Sequence, residues 1–347
     1  MHEGKRMAQN FITDVPGLSV GQAHDEKRAT GVTVVIVEEP NSASVVIGGG
    51  APGSRDTAFL EPEMTATGIN AFVLSGGSAF GLDAAGGVMD VLRSRGVGFR
   101  VGSALVPLVS QAIIFDLLNG GDKEWGNDPV FWQLGRQAAA KAHGGAFELG
   151  TIGGGYGATT ATLKGGTGSA SQMTASGFTV GAIAIVNAVG STTIGSGPHF
   201  WAAPFEISRE FGGLGLPAQI DANDLALRIK GGGPPPSTTI AVLATDAILT
   251  KSQVKRLAIM ADDGLARAIR PAHASMDGDT VFACATLRKQ LPIGSEHVAL
   301  TELGMAAGDC LARAIARGVY EATALPFAGS IPAWRDKFSA HLLVELP

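Results

Sequence analysis

Charge is scarce in this chain. Of its 347 residues only 16% are Asp, Glu, Lys or Arg, while 45% are apolar; roughly a quarter charged is usual for soluble domains. Such a sequence is expected to bury extensive surface and to associate with copies of itself. The net charge of −5 supplies no basic footprint, so nucleic acid is not an expected partner. No run reaches the ~18 consecutive apolar residues that a membrane span needs. The opening MHEGKRMAQNF is too polar for a secretory signal. The expectation is a cytoplasmic protein without membrane contact. Only two cysteines occur, Cys284 and Cys310, both in apolar stretches, which implies buried thiols rather than a disulfide framework.

Several familiar signatures are missing as well. The seven histidines are scattered, with neither HExxH nor paired spacing, so no zinc site is expected. There is no GxxxxGKS/T phosphate loop and no GxSxG elbow. Gly48 to Gly53 satisfies GxGxxG in letters, but Pro52 sits inside it and no helical pattern opens there. A nucleotide site is therefore not read from it.

What is present is glycine and β-branched sequence. The 49 glycines carry no collagen period and fall in clusters between apolar runs, as tight turns and close backbone approach require. Residues 31–37, 44–47 and 71–74 read as strands, and 78–95 as a glycine-weakened helix. Residues 111–117 read as a buried strand, and 128–142 as a helix with Asp128 as N-cap and Pro129 in its first turn. A glycine-rich loop or edge fills 150–172, and a long apolar strand, 178–189, carries Asn187. After a mixed stretch comes GGGPPPS at 231–237, which in isolation reads as a linker. A strand starts directly at Thr238. Thr250 to Gln253 forms a capping-box pattern, followed by a stripe of Val254, Leu257, Ala258, Ala261, Leu265, Ala268 and Ile269 that reads as core packing. A strand over 279–286 and a helix over 296–320 complete a strand–helix–strand–helix order, the pattern of a layered α/β sandwich.

A threonine that opens a strand is ordinary β-sheet sequence. As a new chain terminus it acquires different chemistry. An α-amine with a pKa near ~8 can accept the proton of its own hydroxyl, which is otherwise a poor nucleophile. To expose that amine inside a chain, the hydroxyl must first attack the preceding carbonyl. A stiff PPP run could hold that bond in a strained turn.

The ordered segments VPGLSVGQAHDEKRATGVTVV, GGGAPGSRDT, LSGGSAFGLDAA, AIIFDLLNGGDK, GATTATLKGGTGSAS, IAIVNAVG, STTIAVLATDAILTKSQVKRLA and MDGDTVFACAT span nearly the whole chain. Together they resemble the L-aminopeptidase/D-esterase family of self-cleaving N-terminal-nucleophile hydrolases, which includes β-peptidyl aminopeptidases and nylon-oligomer hydrolases. The resemblance implies a four-layer αββα sandwich like that of ornithine acetyltransferase. It also implies cleavage between Ser237 and Thr238 into a large chain, 1–237, and a small chain, 238–347, that remain one α/β domain. It assigns the nucleophile to Thr238 and the oxyanion's side-chain donor to Asn187. Asp277 and Asp279 become the polar pair near the nucleophile's amine, and Lys164 a lysine near the site. Taken alone, DGD reads as a turn and Lys164 as a loop lysine. Expected substrates are short peptides, amides or ω-amino acid oligomers, with no metal or organic cofactor, in a homotetramer of cleaved chains.

Two positions depart from the family pattern. Ser237 stands where Asn or Gly is common, and Phe115 stands where the family has a tyrosine hydroxyl. Phe115 alone reads as strand core, and Tyr156 in GGGYG is a substitute hydroxyl for the substrate. Two other functions remain open on the sequence: an acyltransferase resembling ornithine acetyltransferase, and an uncleaved, non-enzymatic binder of amino compounds.

Overall fold

The computed structural model describes residues 9–232 and 237–342. Its strands are β1 (Leu18–Asp25), β2 (Thr30–Val37), β3 (Ser42–Ile47), β4 (Ser54–Arg55), β5 (Ala71–Ser75), a surface hairpin of β6 (Phe99–Val101) and β7 (Ala104–Val106), β8 (Val109–Ile113), β9 (Thr167–Met173), β10 (Thr179–Asn187), β11 (Thr238–Ala247) and β12 (Thr280–Lys289). The helices are α1 (Ala84–Ser94), α2 (Val130–Lys141), α3 (Lys251–Ala268), α4 (Glu296–Tyr320) and the short α5 (Trp334–Phe338).

Two five-stranded sheets stack face to face, ordered β1-β2-β5-β8-β4 and β3-β12-β11-β10-β9. Strand alternation explains the stack. In β10 and β11, Ile183, Ile185, Ile240, Val242 and Ala244 point toward the first sheet and pack with Phe72 and Leu74 of β5. Their alternates, including Ala182, Ala184, Ala241 and Leu243, face the buried stripes of α3 and α4. Strands covered on both faces read as unbroken apolar runs, as 178–189 and 238–244 do. On the far side, α1 and α2 cover the outer face of the first sheet through Val32, Val34, Val73, Val88 and Leu134. The four layers are helix, sheet, sheet, helix.

Each sheet contains one parallel pair bridged by a helix, β5–α1–β8 and β11–α3–β12. A parallel neighbour cannot be reached by a tight hairpin, and the crossover helix supplies the outer layer. The capping box at Thr250 is formed, with Thr250 accepting from the Gln253 N–H.

Several expected boundaries move. The helix expected over 78–95 opens as a 3-10 segment, Ser78–Asp83, and becomes α-helical only at Ala84. Gln111 holds that join, donating to the Gly81 carbonyl (2.6 Å) and accepting from the Ala85 N–H (3.1 Å). Asp128 does not cap α2. Pro129 occupies the N-cap place at φ −80°, ψ 60°, and Asp128 instead pairs with Arg28 at 3.3 Å. The strand expected over 111–117 ends at Ile113, because Asp116 turns away to accept from Thr30 and from the Gly77 N–H. Phe115 is therefore a half-buried loop residue, not strand core. The stretch 150–172 resolves into a 3-10 turn, Gly153–Gly155, and the edge strand β9.

Candidate active site

Thr238 is the first residue of β11 and pairs directly with Asn187, the last residue of β10. Directly opposed residues project to the same face, here the inter-sheet face marked by Ile185 and Ile240. Thr238 is 4% exposed and Asn187 fully buried.

The parallel ladder of β11 and β12 continues backward through a bridge between Ser237 and Asp277. This register has a chemical result. The Gly278 N–H donates to the Ser237 carbonyl at 2.9 Å, and the Thr238 hydroxyl donates to the same oxygen. One peptide carbonyl is thus polarised by a backbone donor while the hydroxyl of the next residue lies against it. The approach is close: a Cβ at position 278 would lie 2.6 Å from the Thr238 Oγ1. Glycine is required there by space.

Asn187 has a determined orientation. Its Oδ1 accepts from the Thr159 N–H (3.0 Å) and from the Lys230 ammonium (2.9 Å), so that atom is the acceptor. Its Nδ2 donates to the Phe115 carbonyl at 3.1 Å. An amide carries two N–H donors, and among the described residues the second is uncommitted.

On the opposite side of Thr238 lie the two carboxyls, each 1% exposed. Asp279 accepts from the Thr239 N–H (2.7 Å) through Oδ1 and from the His273 N–H (3.0 Å) through Oδ2. The His273 ring reaches the same oxygen, with Nδ1 3.0 Å away, and its Nε2 lies 3.4 Å from Asp262. Asp277 Oδ1 has no partner among the described residues. Burial, reinforced by the neighbouring Asp279, raises the Asp277 carboxyl well above the usual carboxylate range.

Two buried lysines behave differently. Burial lowers both ammonium groups to about 7. Lys164 is wholly enclosed, and its ammonium donates to the carbonyls of Gly155 (3.1 Å), Ala158 (2.8 Å) and Gly165 (2.7 Å). Its three donors are taken, which makes it a clamp on the glycine-rich loop. Lys230 keeps a partly exposed stem, but its enclosed ammonium bonds the side chain and the backbone carbonyl of Asn187.

A cavity of about 490 Å³ lies beside this site, walled by Phe115, Leu118, Leu325 and Ile331 with Asp116, Lys164 and Lys230. Thr159 and Lys230 belong to that wall and also hold Asn187, so the cavity reaches the back of the amide. The Tyr156 ring stacks on His24, 4.5 Å between centroids, and is not among the residues that line the cavity. The PPP run lies outside the described residues. Thr238, Asn187, Asp277 and Asp279 lie together with Ser237 beside them, while Lys164 lines the adjoining cavity and clamps loop carbonyls, and Tyr156 stacks on His24.

Five residues were not legible from the sequence: Gly278, Lys230, His273, Asp262 and Asp116. Only Gly278 had a local signal, its place between the two aspartates.

A four-layer αββα sandwich with a buried threonine at a central strand start has the architecture of the N-terminal-nucleophile hydrolases. A Burkholderia β-aminopeptidase superposes with a TM-score of 0.67 at 23% identity, covering 99% of this chain and 95% of that one. The L-aminopeptidase D-Ala-esterase/amidase of Ochrobactrum anthropi, described as a variant of the Ntn hydrolase fold, gives 0.65 at 22% identity, covering 93% and 90%. Residues 10–330 match peptidase family S58, to which the chain belongs. It is a hydrolase of peptide or amide bonds. An uncharacterised aminopeptidase of Mycobacterium bovis is 42% identical over 95% of this chain and 98% of its own length. A 6-aminohexanoate-oligomer endohydrolase of Paenarthrobacter ureafaciens is 28% identical over 86% and 82%. No helix among the described residues is long and apolar enough to cross a membrane.

Proposed function

We propose that the chain is a self-processing amidohydrolase that uses Thr238 twice. The reading rests chiefly on one observation: the Ser237 carbonyl is held between the Thr238 hydroxyl and the Gly278 N–H. In the first use, the Thr238 oxygen bonds to the Ser237 carbonyl carbon, and negative charge moves to the oxygen that Gly278 already faces. Donors placed at a developing oxyanion stabilise it more than the ground state. The C–N bond then breaks. The proton leaving the hydroxyl is delivered to the departing Thr238 nitrogen, a transfer we assign to Asp277, whose backbone is in register with Ser237. Water hydrolyses the resulting ester, leaving chains 1–237 and 238–347.

In the second use, the freed α-amine takes the Thr238 hydroxyl proton as the oxygen attacks a substrate amide. Asn187 donates its second Nδ2 hydrogen to the substrate oxyanion. The amine product leaves, and water returns the threonine to its resting state. The mixed apolar and polar cavity beside Asn187 fits the acyl part of a short peptide or an ω-amino acid amide. Exposed Ile293, Leu118 and Leu227 fit an assembly of several copies, for which a tetramer is our proposal.

Intact mass spectrometry with N-terminal sequencing tests the reading. The expected products are two co-purifying chains, the smaller beginning Thr-Thr-Ile, and a Thr238→Ala variant that stays whole and inactive. Active material consisting of one uncut chain, or cleavage at the same bond in Thr238→Ala, overturns it.

A further inference from the structure

The carboxyl pair beside Thr238 does not end the series of titratable groups. His273 follows α3 with its backbone at φ +56°, and that bend lets both its N–H and its ring address one oxygen of Asp279. The other ring nitrogen faces Asp262 of α3 at 3.4 Å. Side-chain exposure is 18% for Asp262 and 26% for His273 but 1% for Asp279, so the outer two members meet solvent and the inner one does not. The series thus runs from solvent to the nucleophile's neighbour. Gly48 closes against it so tightly that a Cβ there would lie 2.8 Å from His273 Nδ1 and 2.9 Å from Asp262 Oδ2. The glycine loop that imitates a nucleotide motif packs against this pair.

Two carboxyls enclosed together do not both ionise readily, and their surroundings decide which one keeps the proton. The surroundings here are unequal. Asp279 receives two N–H bonds and has the His273 ring nitrogen 3.0 Å from one oxygen, a close charge contact rather than a hydrogen bond, whereas Asp277 Oδ1 receives nothing from the described residues. We propose that His273 and Asp262 form a relay behind the pair, holding its negative charge on Asp279 and its proton on Asp277, the acid that acts at Thr238. His273 is a positioning residue in this scheme and touches neither substrate nor the reacting atoms. The relay rests on Thr238 being the nucleophile, as proposed above.

The charged groups around His273 agree with this role. Asp262 and its neighbour Asp263 approach from α3, and Asp277 and Asp279 from the turn before β12, while Lys230 acts on Asp277 from the far side. Asp279 and then Asp262 raise the His273 imidazole against the effect of its burial, and burial lifts Asp262 to about 6. The relay weakens below pH about 6, as Asp262 gains a proton, and at higher pH, as His273 loses one.

The test compares wild type, His273→Gln, His273→Ala and Asp262→Asn for rate of self-cleavage and for kcat/KM of processed enzyme between pH 5 and 9, with Tm measured in parallel. His273→Gln keeps the backbone bond to Asp279 and removes the charge. It should slow cleavage by ~10-fold or more at pH 7 and change the shape of the pH profile. Asp262→Asn should remove the acid limb with a smaller loss. Added imidazole should restore part of the rate in His273→Ala, because the site is open to solvent. Wild-type profiles in His273→Gln and Asp262→Asn, or losses that are pH-independent, follow Tm and ignore imidazole, overturn the relay. Failure of wild type to cut at Ser237–Thr238 instead overturns the nucleophile assignment, so the two failures are distinguishable.

Discussion

The two βαβ units solve one mechanical problem with different chemistry. In each, a side chain just ahead of a parallel strand reaches sideways to hold an N–H near the start of its neighbour. In the β5–α1–β8 unit that residue is Asn70, whose Oδ1 accepts from the Leu108 N–H at 2.8 Å while its Nδ2 donates to Glu39 at 2.7 Å. In the β11–α3–β12 unit it is Asp279, which accepts from the Thr239 N–H at 2.7 Å. A neutral amide suffices to pin strands together. A buried carboxyl in the same job brings a charge, and a charge demands partners; here they are His273 and, through it, Asp262. The second unit is set apart by this added electrostatic demand, placed where a peptide bond meets a hydroxyl.

Substitutions can break or sharpen that contrast. The largest effect is expected from Gly278→Ala, whose Cβ would displace the Thr238 oxygen; the chain should stay uncut on a denaturing gel. Asn187→Ala should follow, lowering kcat by ~10²–10³-fold, as loss of one oxyanion donor does, with kinetics on processed enzyme as the check. Asp279→Asn makes the second unit a chemical copy of the first. It should preserve the Thr239 contact and the fold by circular dichroism, yet slow cleavage by ~10²-fold. Lys164→Met strips three carbonyls of their donor and should cost about 3 kcal/mol in urea melts. Lys230→Met should instead lower kcat by ~10-fold with little change in the melt. The smallest effect belongs to Asn70→Ala, about 1 kcal/mol of stability with kcat unchanged.

Much of the fold was legible because periodicity is a local property. The helix over 296–320 has the observed bounds of α4, and the strand start at Thr238 and the Thr250 cap also agree. Where the reading slipped, a distant side chain intervened. Gln111 tightens the start of the 78–95 segment, and Asp116 pulls the chain out of β8 before Phe115. The site was legible only as far as motif resemblance reached. Lys164 drew notice through the resemblance as a lysine near the site, yet Lys230, lowered to a similar degree, is the one that grips Asn187. Nothing near Lys230 in the sequence announces this, because its partner lies on β10, a separate element. His273 and Asp262 were hidden for the same reason. They belong to different elements, and their common purpose exists only where α3 and the turn before β12 meet.

The strand order β3-β12-β11-β10-β9 has a consequence for processing. Residues 238–347 contribute β11 and β12, which are neighbours, and residues 1–237 contribute strands on both flanks. A cut ahead of Thr238 therefore severs the chain without separating it into halves. Each product retains an open sheet edge that only the other can fill, so dilution alone should not part them, and neither should fold when expressed by itself. The proposed nick would be a covalent event inside an interlocked body, with the new terminus already anchored between β10 and β12.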